Sequence, residues 1–353
     1  MHEQFAGTMP VQEKHRFDVE RLAQYLRANI AGFAGPLEVE QFRGGQSNPT
    51  FLLATPGKRY VLRRKPPGRL LPSAHAVDRE FRVISALRHT QIPVAPAWVL
   101  CMDESVIGTA FYVMDYIHGR VLWDQSLLGM SRSERAAIYD ELNRVMAALH
   151  QVDYQAIGLG DYGKPGNYLE RQIGRWTKQY RASETEKIEA MEKLIEWLPR
   201  HIPPQDETSI VHGDYRLDNV IFHPSEPRIL AVLDWELSTL GHPLADFAYH
   251  SMYWRLTPGE FRGLGGLDLS ALGIPTEEEY VAAYCRRTGR TRIDHWDYYI
   301  AYNMFRLAGI IQGIMGRVVE GTAVSEQAVE SGKRARPLAE AAWRQVEKIL
   351  AAT

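Results

Sequence analysis

The stretch from Ser209 to Glu236 leaves a folding chain little freedom. Three apolar runs, Ser209-Ile210-Val211, Val220-Ile221-Phe222 and Ile229-Leu230-Ala231-Val232-Leu233, are each too short for a stable helix and rich in β-branched residues. Polar turns separate them, among them His223-Pro224-Ser225. The pattern predicts strand, loop, strand, turn, strand. Polar oxygen-bearing side chains stand at the exits. Asp214 and Asn219 are five residues apart on the loop after the first strand, and Asp234 follows Asp214 by twenty residues at the end of the third.

A loop carboxylate, an amide oxygen five positions on and a carboxylate on the next hairpin are the side chains that kinase-type phosphoryl transfer uses. The first acid orients an acceptor hydroxyl and takes its proton, and the other two hold magnesium on the nucleotide phosphates. Magnesium keeps several waters and needs few hard oxygen ligands from the protein. The run His212-Gly213-Asp214-x4-Asn219, with Leu233-Asp234-Trp235-Glu236 and Gly241-His242-Pro243-Leu244-Ala245-Asp246-Phe247, resembles the aminoglycoside phosphotransferase (APH) superfamily, the small-molecule branch of the protein-kinase-like fold. That branch has His-Gly-Asp where protein kinases have His-Arg-Asp, and often Asp-Trp-Glu where they have Asp-Phe-Gly.

The resemblance implies an α+β, two-lobed kinase-like fold. Residues 1–116 would form a nucleotide-binding lobe with an antiparallel sheet and a helix. Residues 117–353 would form a mostly helical catalytic and substrate-binding lobe. It implies ATP and Mg2+, with Asp214 as the base and Asn219 and Asp234 as metal ligands. His212 and Asp246 would brace the catalytic loop; for Asp246 the other reading is a helix N-cap or first-turn acid. Arg216 meets either the transferring phosphate or a surface acid. Glu236 approaches metal or substrate, or is a solvated turn acid.

Upstream, Asp18 before an apolar periodic stretch marks a helix start. Leu37–Phe42, Phe51–Ala54 and Tyr60–Arg63 read as an antiparallel meander. Its first turn carries Gly44, Gly45, Gln46 and Ser47, small residues that let backbone N–H groups approach a triphosphate. It lacks the full Gly-x-Gly-x-x-Gly spacing, and a plain glycine hairpin turn is the other reading. By resemblance the third strand supplies a cation for the phosphates. Arg63 takes that place where protein kinases have Lys, with Lys65 as a rival. Its partner is Glu80, at the rim of a helical stripe formed by Val77, Phe81, Ile84 and Leu87. The strand Ala110–Tyr116 leads to the expected hinge, where the main chain of Asp115, Tyr116 and Ile117 would bond a purine.

The rest of the chain reads as helical, over 131–152, 168–180, 187–198, 275–286, 294–320 and 336–351; Ser325–Arg336 is polar and either loop or helix. The acceptor is expected to meet the segment His295–Arg306 and the following Gln312 and Arg317, with core packing the bland reading of its aromatics. Arg306, on an apolar helix, wants an anionic partner, either a substrate acid or a structural carboxylate. The runs Tyr60–Gly68 and Leu233–Gly241 resemble in particular the kinase-like domain found fused to acyl-CoA dehydrogenases, which implies a hydroxyacyl-CoA or hydroxy-acid acceptor. A choline-type or aminoglycoside-type kinase, or a catalytically silent nucleotide-binding module, are the alternatives.

Composition narrows the partners. With 353 residues, 45% hydrophobic and 24% charged, the chain is long enough for two lobes. A net charge of −2 gives no electrostatic footprint for nucleic acid. Cys101 and Cys285 have no metal-ligand spacing, which fits a reducing cytoplasm. No apolar run reaches the length of a membrane span, and the N-terminus lacks a secretory signal pattern. A small-molecule substrate is the expected partner; oligomeric state is not legible.

Overall fold

The computed structural model describes residues 7–43, 48–66, 76–204, 207–321 and 326–352. The chain forms two compact units. The first is drawn from Met1–Trp123, Gln155–Leu159 and Asp218–Ser238; the second from Asp124–Tyr154, Gly160–Leu217 and Thr239–Thr353.

A six-stranded antiparallel sheet organises the first unit: β1 (Thr8–Met9), β2 (Glu38–Phe42), β3 (Thr50–Ala54), β4 (Arg59–Arg64), β5 (Ala97–Cys101) and β6 (Phe111–Asp115). The spatial order is β1-β2-β3-β4-β6-β5, so the expected meander is its centre. Neither β1 nor β5 is evident in the sequence. β1 is only two residues long, and β5 (Ala-Trp-Val-Leu-Cys) lacks apolar–polar alternation and follows two prolines. Helix Val19–Asn29 starts where Asp18 accepts a hydrogen bond from Arg21 N at 2.9 Å. It buries Leu22 and Leu26 against Phe51, Leu53, Leu62, Phe111 and Val113. A core of this kind is what holds a twisted sheet to one helix.

Helix Val77–Leu87 departs from the expected pattern. Its buried face is Val77, Glu80, Val83, Ile84 and Leu87, and Phe81 is only partly covered. Glu80 is therefore in the stripe rather than at its rim, with 1% of its surface exposed. An apolar position has been given to a carboxylate, which is stable only if that carboxylate is paired. The unit is completed by the hairpin strands Val220–Phe222 and Ile229–Val232. Gly119 lies against this hairpin so closely that a Cβ would meet the Phe222 carbonyl oxygen at 2.2 Å.

Helices dominate the second unit, around Trp296–Val319, which is buried on nearly all sides from Tyr298 to Gly313. Helices Tyr168–Ala182, Pro243–Ser251 and Ala335–Ala352 pack on it. Helix Arg132–His150 begins with a capping box, Ser131 with Glu134. The polar stretch after residue 325 holds a short helix, Glu326–Gly332. Strands Ser209–Val211 and Thr239–Gly241 pair antiparallel and carry the His212 loop at one end. Among the described residues no helix is long and apolar enough to cross a membrane.

Candidate active site

In the first unit, β4 and helix Val77–Leu87 build a charged cluster inside an apolar setting. β4 turns Arg63 and Arg64 to opposite faces. Arg64 donates to the carbonyls of Ile107 and His15 and lies over the rings of Phe17 and Phe51. Arg63 pairs with Glu80, Nε to Oε2, at 3.0 Å. The same guanidinium reaches Asp234 Oδ1 at 3.0 Å and Glu236 Oε2 at 4.0 Å. Glu80 also accepts from Asn48 Nδ2 at 2.9 Å and from the Tyr112 hydroxyl at 3.0 Å. Burial alone would lower the affinity of Arg63 for its proton; Glu80, Tyr112, Asp234 and Glu236 overcome it and hold the guanidinium firmly charged. Burial also pushes the Glu80 carboxyl up, against the pull of Arg63. Lys65, the rival cation, lies past the end of β4, and its main-chain N–H bonds the Ala110 carbonyl.

The hairpin brings the two expected metal ligands to one end. Leu233 N donates to Asn219 O at 2.8 Å, which sets Asp234 beside the Asn219 peptide. Asp234 has φ 62 and ψ 59, a left-handed conformation that costs a non-glycine residue about 1 kcal/mol. The buried Trp235, whose Nε1 donates to Val232 O at 2.9 Å, locks that turn. Asp234 and Glu236 keep 29% and 25% of their side chains exposed, so both are accessible to a hydrated ion. One amide and one carboxylate oxygen donor, with room for water, suit magnesium and not a fully protein-ligated metal. Among the described residues there is no cluster of three or more His, Cys, Asp or Glu.

At the expected hinge the structure narrows the reading. The N–H of Asp115 donates to Pro96 O at 2.9 Å and that of Tyr116 to Arg59 O at 3.3 Å. The Asp115 side chain is bound by Lys58 and Trp98. Two of the three expected main-chain N–H donors are thus spent within the first unit. Gly44, Gly45, Gln46 and Ser47 lie outside the described residues.

The second unit holds the His212–Asp214 loop rigidly. Asp246 accepts from His212 N at 2.7 Å and from Gly213 N at 2.8 Å, one bond to each carboxylate oxygen. His150 Nε2 stands 3.2 Å from the same carboxylate, backed by the Tyr284 hydroxyl at 2.7 Å from Nδ1. Burial opposes the charge on Asp246, yet His150, His212 and the loop N–H hold its carboxyl below the ordinary range. The N-cap of helix Pro243–Ser251 is His242, whose Nδ1 accepts from Leu244 N, so Asp246 serves the loop and not the cap. Gly213 has φ 82, a conformation that favours glycine at this tight turn. His212, fully buried, accepts from Asp214 N through Nδ1 at 3.1 Å.

Asp214 is gripped by side chains as well. The Tyr249 hydroxyl donates to Oδ1 at 2.6 Å, and Arg216 Nε lies 3.4 Å from the same oxygen. Arg216 therefore faces the loop acid, a partner that neither sequence reading named. Arg306 reaches the same loop. Its Nη2 donates to the Gly213 carbonyl at 2.5 Å, and its guanidinium lies 4.8 Å from the Tyr249 ring and 5.5 Å from that of Trp176. A backbone carbonyl and two aromatic faces meet the guanidinium, while its buried Nε has no hydrogen-bond partner among the described residues. Gln312 is likewise engaged, with the Ser183 carbonyl. Most aromatics of the neighbouring segment are core: Tyr299 stacks on His242 and Phe305 is fully buried, while the half-buried Trp296 lies tilted against Phe247.

Comparison with known proteins decides the family. Residues 38–298 match the family model described as the phosphotransferase enzyme family, APH. The chain belongs to that family. Over 97% of its length it is 48% identical to mouse acyl-CoA dehydrogenase family member 10, of which it covers 32%. It therefore spans about a third of that relative, and 44% of the rat family member 11. A crystal structure of a provisionally assigned aminoglycoside phosphotransferase from Ralstonia eutropha is 63% identical, covering 94% of this chain and 99% of that one, with TM-score 0.88. The fold extends to choline kinase from Cryptosporidium parvum at 13% identity and TM-score 0.62, over 95% and 97% of the two chains. Within the APH family frame, sequence reasoning missed Tyr249 and Asn48. A signal for Tyr249 was present, because it follows Asp246 by three residues on one helix and so shares its face. No comparable signal marked Asn48.

Proposed function

We propose that this phosphotransferase-family chain moves the γ-phosphoryl group of ATP to a hydroxyl of a small hydroxy acid or its coenzyme A thioester. The observation that carries the reading is the buried Arg63–Glu80 pair with Asp234 at its open side. Burying a guanidinium costs several kcal/mol. Placing it beside an accessible carboxylate suits a site that must hold phosphates and a cation together. Asp214 orients the acceptor hydroxyl and takes its proton, His212 and Asp246 fix the loop, and Arg216 stands beside the base. Arg63, set by Glu80, contacts the nucleotide phosphates, and the Ile117 peptide meets the purine. Asn219 and Asp234, with Glu236 near, would hold magnesium; when bound it neutralises charge on the phosphates. On this reading residues 1–116 carry most of the nucleotide contacts and 117–353 the base, the metal ligands and the acceptor site. Catalysis then rests on positioning and charge stabilisation.

The acceptor class rests on the relatives, which carry acyl-CoA dehydrogenase names. A quaternary-ammonium acceptor is less well served: Tyr298, Tyr299, Tyr302 and Phe305 are buried in the core, and Arg306 already covers the Tyr249 and Trp176 faces. The test is an ADP-formation screen with magnesium across hydroxyacyl-CoAs, hydroxy acids, choline, ethanolamine and aminoglycosides. Turnover with either of the first two groups supports the proposal. Turnover confined to the others moves the acceptor class. Tight MgATP binding with no turnover supports a nucleotide-binding module instead.

A further inference from the structure

We propose that Tyr249 is a positioning residue for the Asp214 base, acting through its hydroxyl on carboxylate oxygen Oδ1. The inference rests on the reading of Asp214 as the base. One face of helix Pro243–Ser251 serves the whole loop. Asp246 fixes the main chain of His212 and Gly213, and Tyr249, three residues on, fixes the side chain of Asp214. Residues three apart on a helix lie side by side, so backbone brace and side-chain brace are one rigid element.

The Tyr249 bond is 2.6 Å, in the range of charge-assisted O–H···O⁻ bonds, which are roughly twice as strong as neutral ones. With Oδ1 anchored, the plane of the carboxylate is set, and with it the direction of the other oxygen. Tyr249 itself has little freedom. It is 3% exposed, and Arg306 lies 4.8 Å from its ring while donating to the Gly213 carbonyl. Arg306 thereby ties the ring that holds the base to the peptide that precedes the base. Burial, with the Asp214 charge, raises the Tyr249 hydroxyl well above its ordinary range, so it stays a donor at working pH. The alternative, a tyrosine that only fills space, needs no hydroxyl on the catalytic carboxylate.

The experiment is a double-mutant cycle between Tyr249→Phe and Asp214→Asn in the full chain, with water as acceptor and phosphate release from MgATP as readout. Tyr249→Phe keeps the ring that Arg306 covers. It should lower kcat about 10- to 100-fold, the scale of a misplaced catalytic group, with the KM for MgATP and the melting temperature unchanged. In the Asp214→Asn background, whose residual phosphate release is read at high enzyme concentration, the same change should have no further effect, because a residue acting through Asp214 has nothing left to position. Wild-type kcat in Tyr249→Phe, or additive losses, would overturn the proposal. A fully active Asp214→Asn enzyme would instead remove the base reading. If Tyr249→Phe loses stability, or wild type releases no phosphate, its crystal structure decides: a turned Asp214 carboxylate supports the tie, and an unmoved one overturns it.

Discussion

Asp246→Asn removes one charge and almost no volume, and the geometry fixes what that should cost. The carboxylate uses each oxygen once, for His212 N and for Gly213 N, and meets His150 as well. An amide keeps one acceptor and turns its NH2 group toward a loop N–H, either that of Gly213 or that of His212 with the His150 ring beside it. One charge-assisted bond is lost, at about 1.5–3 kcal/mol, and one buried donor is left unpaired, at about 1–3 kcal/mol. Some relaxation of the loop will offset part of this, so about 2–4 kcal/mol of destabilisation is expected. The loss has a pH signature. The Asp246 carboxyl is held below its ordinary range in the folded protein, so its contribution is fully present above the unfolded carboxylate value of about 4 and fades as pH falls through the lower folded value. Urea unfolding followed by tryptophan fluorescence at pH 7, and again towards pH 3, measures both. The difference between wild type and variant should be large at neutral pH and shrink on acidification. A difference below about 0.5 kcal/mol at pH 7, or one that grows with acid, would refute the bracing argument.

Other perturbations have expected outcomes of their own. Glu80→Gln should leave Arg63 under-compensated in a buried site and cost up to about 3–5 kcal/mol, read by chemical denaturation, with weaker MgATP binding by calorimetry. Asp234→Ala should weaken MgATP binding at least tenfold in the same calorimetric assay, while Asp214→Asn should leave it within twofold. Burial lowers His250 to about 4, so between the unfolded value near 6.5 and that value the unfolded state binds the extra proton and stability falls as pH falls, by about 1 kcal/mol per pH unit at the steepest; His250→Gln should flatten that limb in a thermal-melt pH series. Gly119→Ala should fail to accumulate as folded protein, because its Cβ would overlap the Phe222 carbonyl; normal expression and melting would contradict the close approach.

What the sequence disclosed follows from what is local in the physics. The short strands around Asp214 and Asp234, the helix starts at Asp18 and Ser131 and the sheet centre were all readable, because turn chemistry, capping and alternation act over a few residues. The fold class was legible too, through the motif spacing. Less readable was anything decided by distant partners. Glu80 looked like a rim residue because periodicity cannot show that a stripe position is stabilised by Arg63 from another element. Nor did the sequence signal that Arg306 would reach the Gly213 carbonyl and two aromatic faces from other elements. The hinge donors of Asp115 and Tyr116 depend on strand register, and β5, the strand beside β6, carried no pattern to announce it.

Phosphoryl transfer through Asp214 can be read in a single spectrum. Wild type and Asp214→Asn are incubated with ATP, magnesium and a set of hydroxy acids and hydroxyacyl-CoAs, and the products are followed by phosphorus NMR. Wild type alone should form a new phosphate monoester of one acceptor, together with ADP. A phosphoester formed equally by Asp214→Asn would contradict it.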